Sequence, residues 1–221
     1  MLSIDPGDKL YPRIFLNREK AMRSRYFNFI SKFAQIALLI MTLGLSACAS
    51  GAKPGAMLPP NSPETTIAPN SVLRETVAIG QTSGGRETNP LWMSDVSSND
   101  LAEALRLSLT ARGMFTRNNE RFHLEATLIS LDRPLAGFDM KVTSKIRYRV
   151  TRVADNAVVF DREIAASFTA AMSSSFYGVE RLRLANEGTI RENITQFLAA
   201  LIATERDSPE SFGRVPRPQS S

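Results

Sequence analysis

Residues 137–150 read GFDMKVTSKIRYRV, and their alternation decides the fold. Met140, Val142, Ser144, Ile146, Tyr148 and Val150 take one phase, while Lys141, Lys145, Arg147, Arg149 and Thr151 take the other. A period of two sends alternate side chains to opposite sides of a strand, so this is a long strand with one covered face and one wet face. ADNA at 154–157 supplies a turn. The return strand sets Phe160, Ile164, Ala166 and Phe168 against Asp161, Glu163 and Ser167. The two apolar faces coincide only across an odd-length loop, which gives an expected register with Val150 opposite Arg162 and Arg149 opposite Glu163.

Upstream, 122–131 alternates in the same way, with Phe122, Leu124, Ala126 and Leu128 opposed to His123, Glu125 and Thr127. DRPLAG at 132–137 is a turn segment. Before it, Ser97 with Asp100 three residues on has the spacing of a capping box. Leu101, Ala104, Leu105, Ser108 and Leu109 then hold one helical face, with Arg106 and Arg112 away from it, and Gly113 closes the helix. A first strand is expected over 72–80 on Val72, Val77 and Ile79. Downstream, MSSSFY at 172–177 reads as a small polar bridge with an aromatic end. A long helix is expected over 179–204, with a stripe of Leu182, Ile190, Ile194, Phe197, Leu198, Leu201 and Ile202. Arg181, Arg183, Glu187, Arg191 and Glu192 fall mostly off that stripe, and Asn186 lies beside it, placed to bond backbone. Gly188 in mid-helix costs about 1 kcal/mol relative to Ala, which implies a close approach to the sheet. The order β-α-β-β-β-α gives an α+β two-layer sandwich, two helices on one face of a four-stranded sheet, over residues 72–204. The polar, Pro-containing segment 205–221 is expected to be a disordered tail.

The start of the chain has a different character. FAQIALLIMTLGLSAC, at 33–48, is an apolar run too short and too interrupted for a spanning helix of about 20 residues. Positive charges precede it and small residues close it, the pattern of an export signal. Its last four residues, Leu45-Ser46-Ala47-Cys48, resemble the lipobox of bacterial lipoproteins. That resemblance implies cleavage between Ala47 and Cys48 and lipidation (palmitate-type acylation) of Cys48, the chain's only cysteine. Counting from Met22 gives a signal of ordinary length over 22–47, so residues 1–21 are expected to be an over-extended start or a dispensable extension. Residues 48–71, rich in Pro, Ser, Ala and Gly, read as the lipidated Cys and a flexible tether. Ala49 rather than Asp follows the Cys. By the enteric sorting pattern this implies the outer membrane, with the domain facing the periplasm.

Charge excludes one class of partner. The whole chain carries +5 and a pI near 9.7, yet residues 1–47 hold seven Lys/Arg against three acids. The part from Cys48 onward is therefore close to neutral, and nucleic acid is not an expected partner. His123, the only His, has no positioned nucleophile or second ligand in the pattern, so neither catalysis nor a metal is expected. There is also no phosphate loop and no nucleophile elbow. No cofactor is implied.

Two features remain as contact candidates. Trp92, in the loop after the first strand, is either an exposed anchor for a partner or lipid or a lid packed on the core edge, the commoner fate of a lone Trp. Lys141, Lys145, Arg147 and Arg149 could hold lipid phosphates or be ordinary solvated strand residues offset by Asp161 and Glu163. The element order behind a lipobox resembles the small lipoprotein partner of the LPS transport translocon and the auxiliary lipoproteins of ABC and lipid-transport systems. The segments that carry this are LSAC at 45–48, GFDMKVTSKIRYRV at 137–150 and ERLRLANEGTIRENITQFL at 180–198. It implies a non-enzymatic protein serving envelope assembly or lipid/LPS transport, with an outer-membrane barrel, a transporter or a lipid as partner. The alternatives are a structural periplasmic module and an envelope enzyme lacking a known motif.

Overall fold

The computed structural model describes residues 51–86, 95–133 and 139–213. Cys48, Ala47 and Trp92 lie outside them. The described residues form an α+β domain: β1 (Val77–Ser83), α1 (Ser98–Ala111), β2 (Phe122–Asp132), β3 (Met140–Arg152), β4 (Val158–Ala170) and α2 (Gly178–Asp207). The sheet order is β1-β2-β3-β4, with β1 parallel to β2 and the other pairs antiparallel. Both helices cover the face that carries Phe122, Leu124, Ile146, Tyr148, Val150 and Phe160, all buried.

Local signals explain the elements. Ser97 accepts from the Asp100 N–H at 3.0 Å while the Asp100 carboxylate accepts from the Ser97 N–H at 3.0 Å, a complete capping box. Gly113, at φ +64°, ends α1 in the left-handed region. Across the sheet, Phe197 of α2 stacks on Tyr148 at 4.1 Å and meets Phe160 edge-on at 5.7 Å. At Gly188 helix and sheet approach closely, since a Cβ there would lie 2.2 Å from the Phe168 ring. Beneath it runs a buried polar bridge: the Tyr148 hydroxyl donates to Asn193 Oδ1 at 2.9 Å, Asn193 donates to the Ile164 carbonyl at 2.8 Å, and Thr189 to the Ala166 carbonyl at 2.8 Å.

The structure corrects several expectations. The β3–β4 register is two residues tighter than the alternation implied: Val150 faces Phe160, Arg149 faces Asp161, and Arg162 faces Tyr148. An even slip leaves every face unchanged, so the pattern could not detect it. What sets it is Arg152, which grips Asp155 through two bonds of 2.9 and 2.6 Å, with Asn156 at φ +56° completing the turn. The first strand begins at Val77, because 72–76 turns through a left-handed Glu75 and a Thr76 hydroxyl bonded to the Val72 carbonyl at 2.6 Å. α2 runs on to Asp207, and Phe212 packs fully buried against Phe122 at 5.6 Å, so the tail is ordered at least to Gly213.

The largest correction concerns residues 51–71. They are a strap, wedged along the groove between α1 and α2. The Lys53 N–H donates to Glu187 at 2.9 Å, Arg191 donates to the Ala56 carbonyl at 2.9 Å, and Ser71 donates to Glu205 at 2.9 Å. The strap thus follows α2 from its third turn nearly to its end, about 27 Å at 1.5 Å per residue. Met57, Ile67 and, just beyond, Leu73 join the main core. Arg112 is buried rather than off-face, donating to the Pro59 and Pro60 carbonyls (3.1 and 2.7 Å), Asn61 (2.6 Å) and Thr65 (3.2 Å). For the same reason Arg183 and Glu187, assigned to a solvated face by the stripe, are covered. Proline-rich composition is shared by linkers and by extended packed segments, and composition alone does not separate them.

Candidate contact surface

The basic residues stand together, on the sheet face away from the helices. β3 projects Lys141, Lys145, Arg147 and Arg149 there, all exposed. Their neighbours on the same face are Glu125 on β2 and Asp161 and Glu163 on β4. Lys145 pairs with Glu163 at 2.9 Å, and Arg147 takes Asp161 through two bonds of 2.8 and 2.9 Å. Arg149 lies in register between Glu125 and Asp161. The Arg147 guanidinium holds the Asp161 carboxyl below its ordinary range. A phosphate arriving on this face would compete with carboxylates already in place, each worth only about 0.2–1 kcal/mol as an exposed pair. Hydroxyl rungs, Ser83 with Thr127 at 3.2 Å and Thr143 with Ser167 at 2.8 Å, complete a polar, charge-mixed surface. Lys141, opposite Thr169, is the cation of the four farthest from those carboxylates.

His123 is half-exposed and lies 3.1 Å from Glu120. Among the described residues no group of three or more His, Cys, Asp or Glu is placed to hold a metal ion. Also among them, no helix is long and apolar enough to cross a membrane.

Sequence reasoning missed the most exposed apolar feature. The segment between β4 and α2 leaves Phe176 94% and Tyr177 76% exposed, flanked by Met172 and Val179 at 49% and 39%. Its main chain is held: Arg181 donates to the Ser175 and Phe176 carbonyls at 2.7 and 3.1 Å, and the Met172 N–H donates to Asp139 at 3.0 Å. Two adjacent aromatics followed directly by a helix start were the available signal.

No family model matches the chain, and no curated protein does. Among solved structures, the chain is similar to a Xanthomonas campestris protein of the DUF330 family, at 11% identity and a TM-score of 0.48, over 66% of this chain and 94% of that one. It is also similar to the PelC dodecamer subunit of Paraburkholderia phytofirmans, at 15% identity and a TM-score of 0.41, over 62% and 93% of the two chains. A third is a minor lipoprotein of Acinetobacter baumannii, at 13% identity and a TM-score of 0.41, over 61% and 97%. Likenesses of this size carry no weight for activity.

Proposed function

We propose that the chain is a non-enzymatic envelope lipoprotein, cleaved after Ala47 and acylated at Cys48, that acts by binding a membrane-protein partner or a lipid. The observation that carries this is the short apolar run closed by Leu45-Ser46-Ala47-Cys48, three residues ahead of Gly51, from which the α+β domain is described. A stable anchor needs more than one acyl chain, at about 0.8 kcal/mol per buried CH₂. Cys48 as the N-terminal residue of a mature lipoprotein would supply that.

The finer reading is assistance in envelope assembly or lipid/LPS transport, from the outer membrane and facing the periplasm. Support for binding rather than catalysis comes from the surface. Among the described residues β4 is paired on one side only, by β3, and an edge strand is a ready site for a partner's strand. The charge-mixed sheet face lies beside it. The test is crosslinking and affinity purification of the lipidated protein from its native envelope, read by mass spectrometry. Recovery of an outer-membrane barrel supports the translocon-partner role, and recovery of an inner-membrane transporter supports the auxiliary role. Turnover of an envelope lipid or glycan by the purified protein would overturn the non-enzymatic reading.

A further inference from the structure

We infer that the segment 171–177 is a second membrane contact, and that Phe176 and Tyr177 enter the lipid headgroup layer on the side of the domain where the anchor attaches. This rests on the proposed acylation of Cys48. The topology puts several features at one end of the sheet. β3 begins there and β4 ends there, with Met140 opposite Ala170. α2 begins there, directly after Tyr177. The strap enters near it: the Ala52 N–H reaches the Asp95 carbonyl at 3.4 Å, and the Lys53 N–H donates to Glu187, nine residues and about 14 Å along α2 from its start. Asp95 is joined to Arg133, just past the end of β2, at 2.7 Å.

Chain length then limits the geometry. Cys48 stands four residues before Ala52, and an extended chain covers at most about 3.6 Å per residue, so the two are within about 14 Å. Because the strap is packed, no longer leash is present between the anchor and this end. A headgroup layer is about 5–8 Å deep on each side of the hydrocarbon. The exposed side chains suit it: an aromatic pair with a phenol tip, the residue type favoured at membrane interfaces, on a main chain already fixed by Arg181. Lys53, Arg86 and Lys141, all exposed and at this end, are placed for anionic headgroups.

The test uses the full lipidated chain in phosphatidylethanolamine–phosphatidylglycerol vesicles, with a nitroxide on Phe176→Cys or, at the opposite end, on Asn156→Cys. The acylated Cys48 thiol is not available to the label. The expected result is a several-fold fall in collisions with a water-soluble relaxant, and a rise with oxygen, at 176 on vesicle binding, with no change at 156. Equal exposure of both labels on protein shown by mass spectrometry to be acylated overturns this inference alone. Shielding at 176 that is already present without vesicles assigns the loop to a protein contact, such as a second copy, and also overturns it. An unacylated Cys48 overturns the inference together with the lipoprotein reading.

Discussion

Replacing Met57 by Ala separates a packed strap from a tether. In a tether Met57 would be solvated, and its truncation would move stability by no more than about 0.5 kcal/mol, as for other surface changes. In the structure Met57 is fully buried, at the end of a 3-10 turn (Pro54–Met57) wedged between α1 and α2, within the main core. Truncating a buried Met to Ala costs about 2–5 kcal/mol, the lost transfer energy plus the cavity left behind. The upper half of that range applies if α1 and α2 cannot close over the gap, because the strap is what holds them apart. At about 2–4 °C per kcal/mol for a domain of this size, Tm should fall by about 4–20 °C. Met57→Leu, which keeps the volume, should cost less than about 1.5 kcal/mol. Urea unfolding followed by far-UV circular dichroism reads both. A Met57→Ala protein indistinguishable from the parent would refute the packed strap, and with it the short leash.

Other perturbations test neighbouring parts. Gly188→Ala should gain about 1 kcal/mol of helix propensity yet lose about 1–3 kcal/mol to overpacking on Phe168, so the protein should be no more stable, and Phe168→Ala should remove the clash in a double-mutant cycle by denaturant unfolding. Arg183→Met takes the cation from the buried Glu187 carboxylate and leaves it with the Lys53 N–H, and should cost about 3–5 kcal/mol. Changing both residues to Met should recover most of that, as for other buried pairs; a double variant no better than the single would contradict the pairing. Asp155 is held down to about 2, first by the two bonds from Arg152 and then by the Ala157 N–H. Because its folded pKa is depressed, the contribution of this turn is complete above the ordinary carboxylate range and is lost as pH falls through about 2. The Ala157 amide shift should therefore titrate near 2; a midpoint near 4, the unperturbed value, would mean the Arg152 grip is absent in solution.

How much the sequence reveals depends on the range of the contacts. β2 and β3 alternate cleanly because each buries one face, so Phe122 to Leu128 and Val142 to Val150 were assigned to the correct sides. Ser97 with Asp100, and Gly188, report local geometry and were legible for that reason. The strap was not, because its partners are remote: Lys53 and Glu187 are separated by 134 positions. Once the strap is in place, α2 is covered on two sides, which a single apolar stripe does not encode, and charged Arg183 and Glu187 fill the second side as a bonded pair. The basic strand residues were correctly placed together, but their neutralisation depends on the hairpin register, and the register depends on one Arg152–Asp155 grip. Phe176 and Tyr177 look like a connector until the topology shows which end of the domain they occupy.

The most direct test of the account is mass spectrometry of the mature N-terminus isolated from the native envelope, beside a Cys48→Ser variant. The account predicts a chain beginning at Cys48 with a diacylglyceryl-linked sulfur, and a variant that is neither cleaved after Ala47 nor acylated. A mature protein that begins elsewhere, or that carries a free Cys48 thiol, would contradict it.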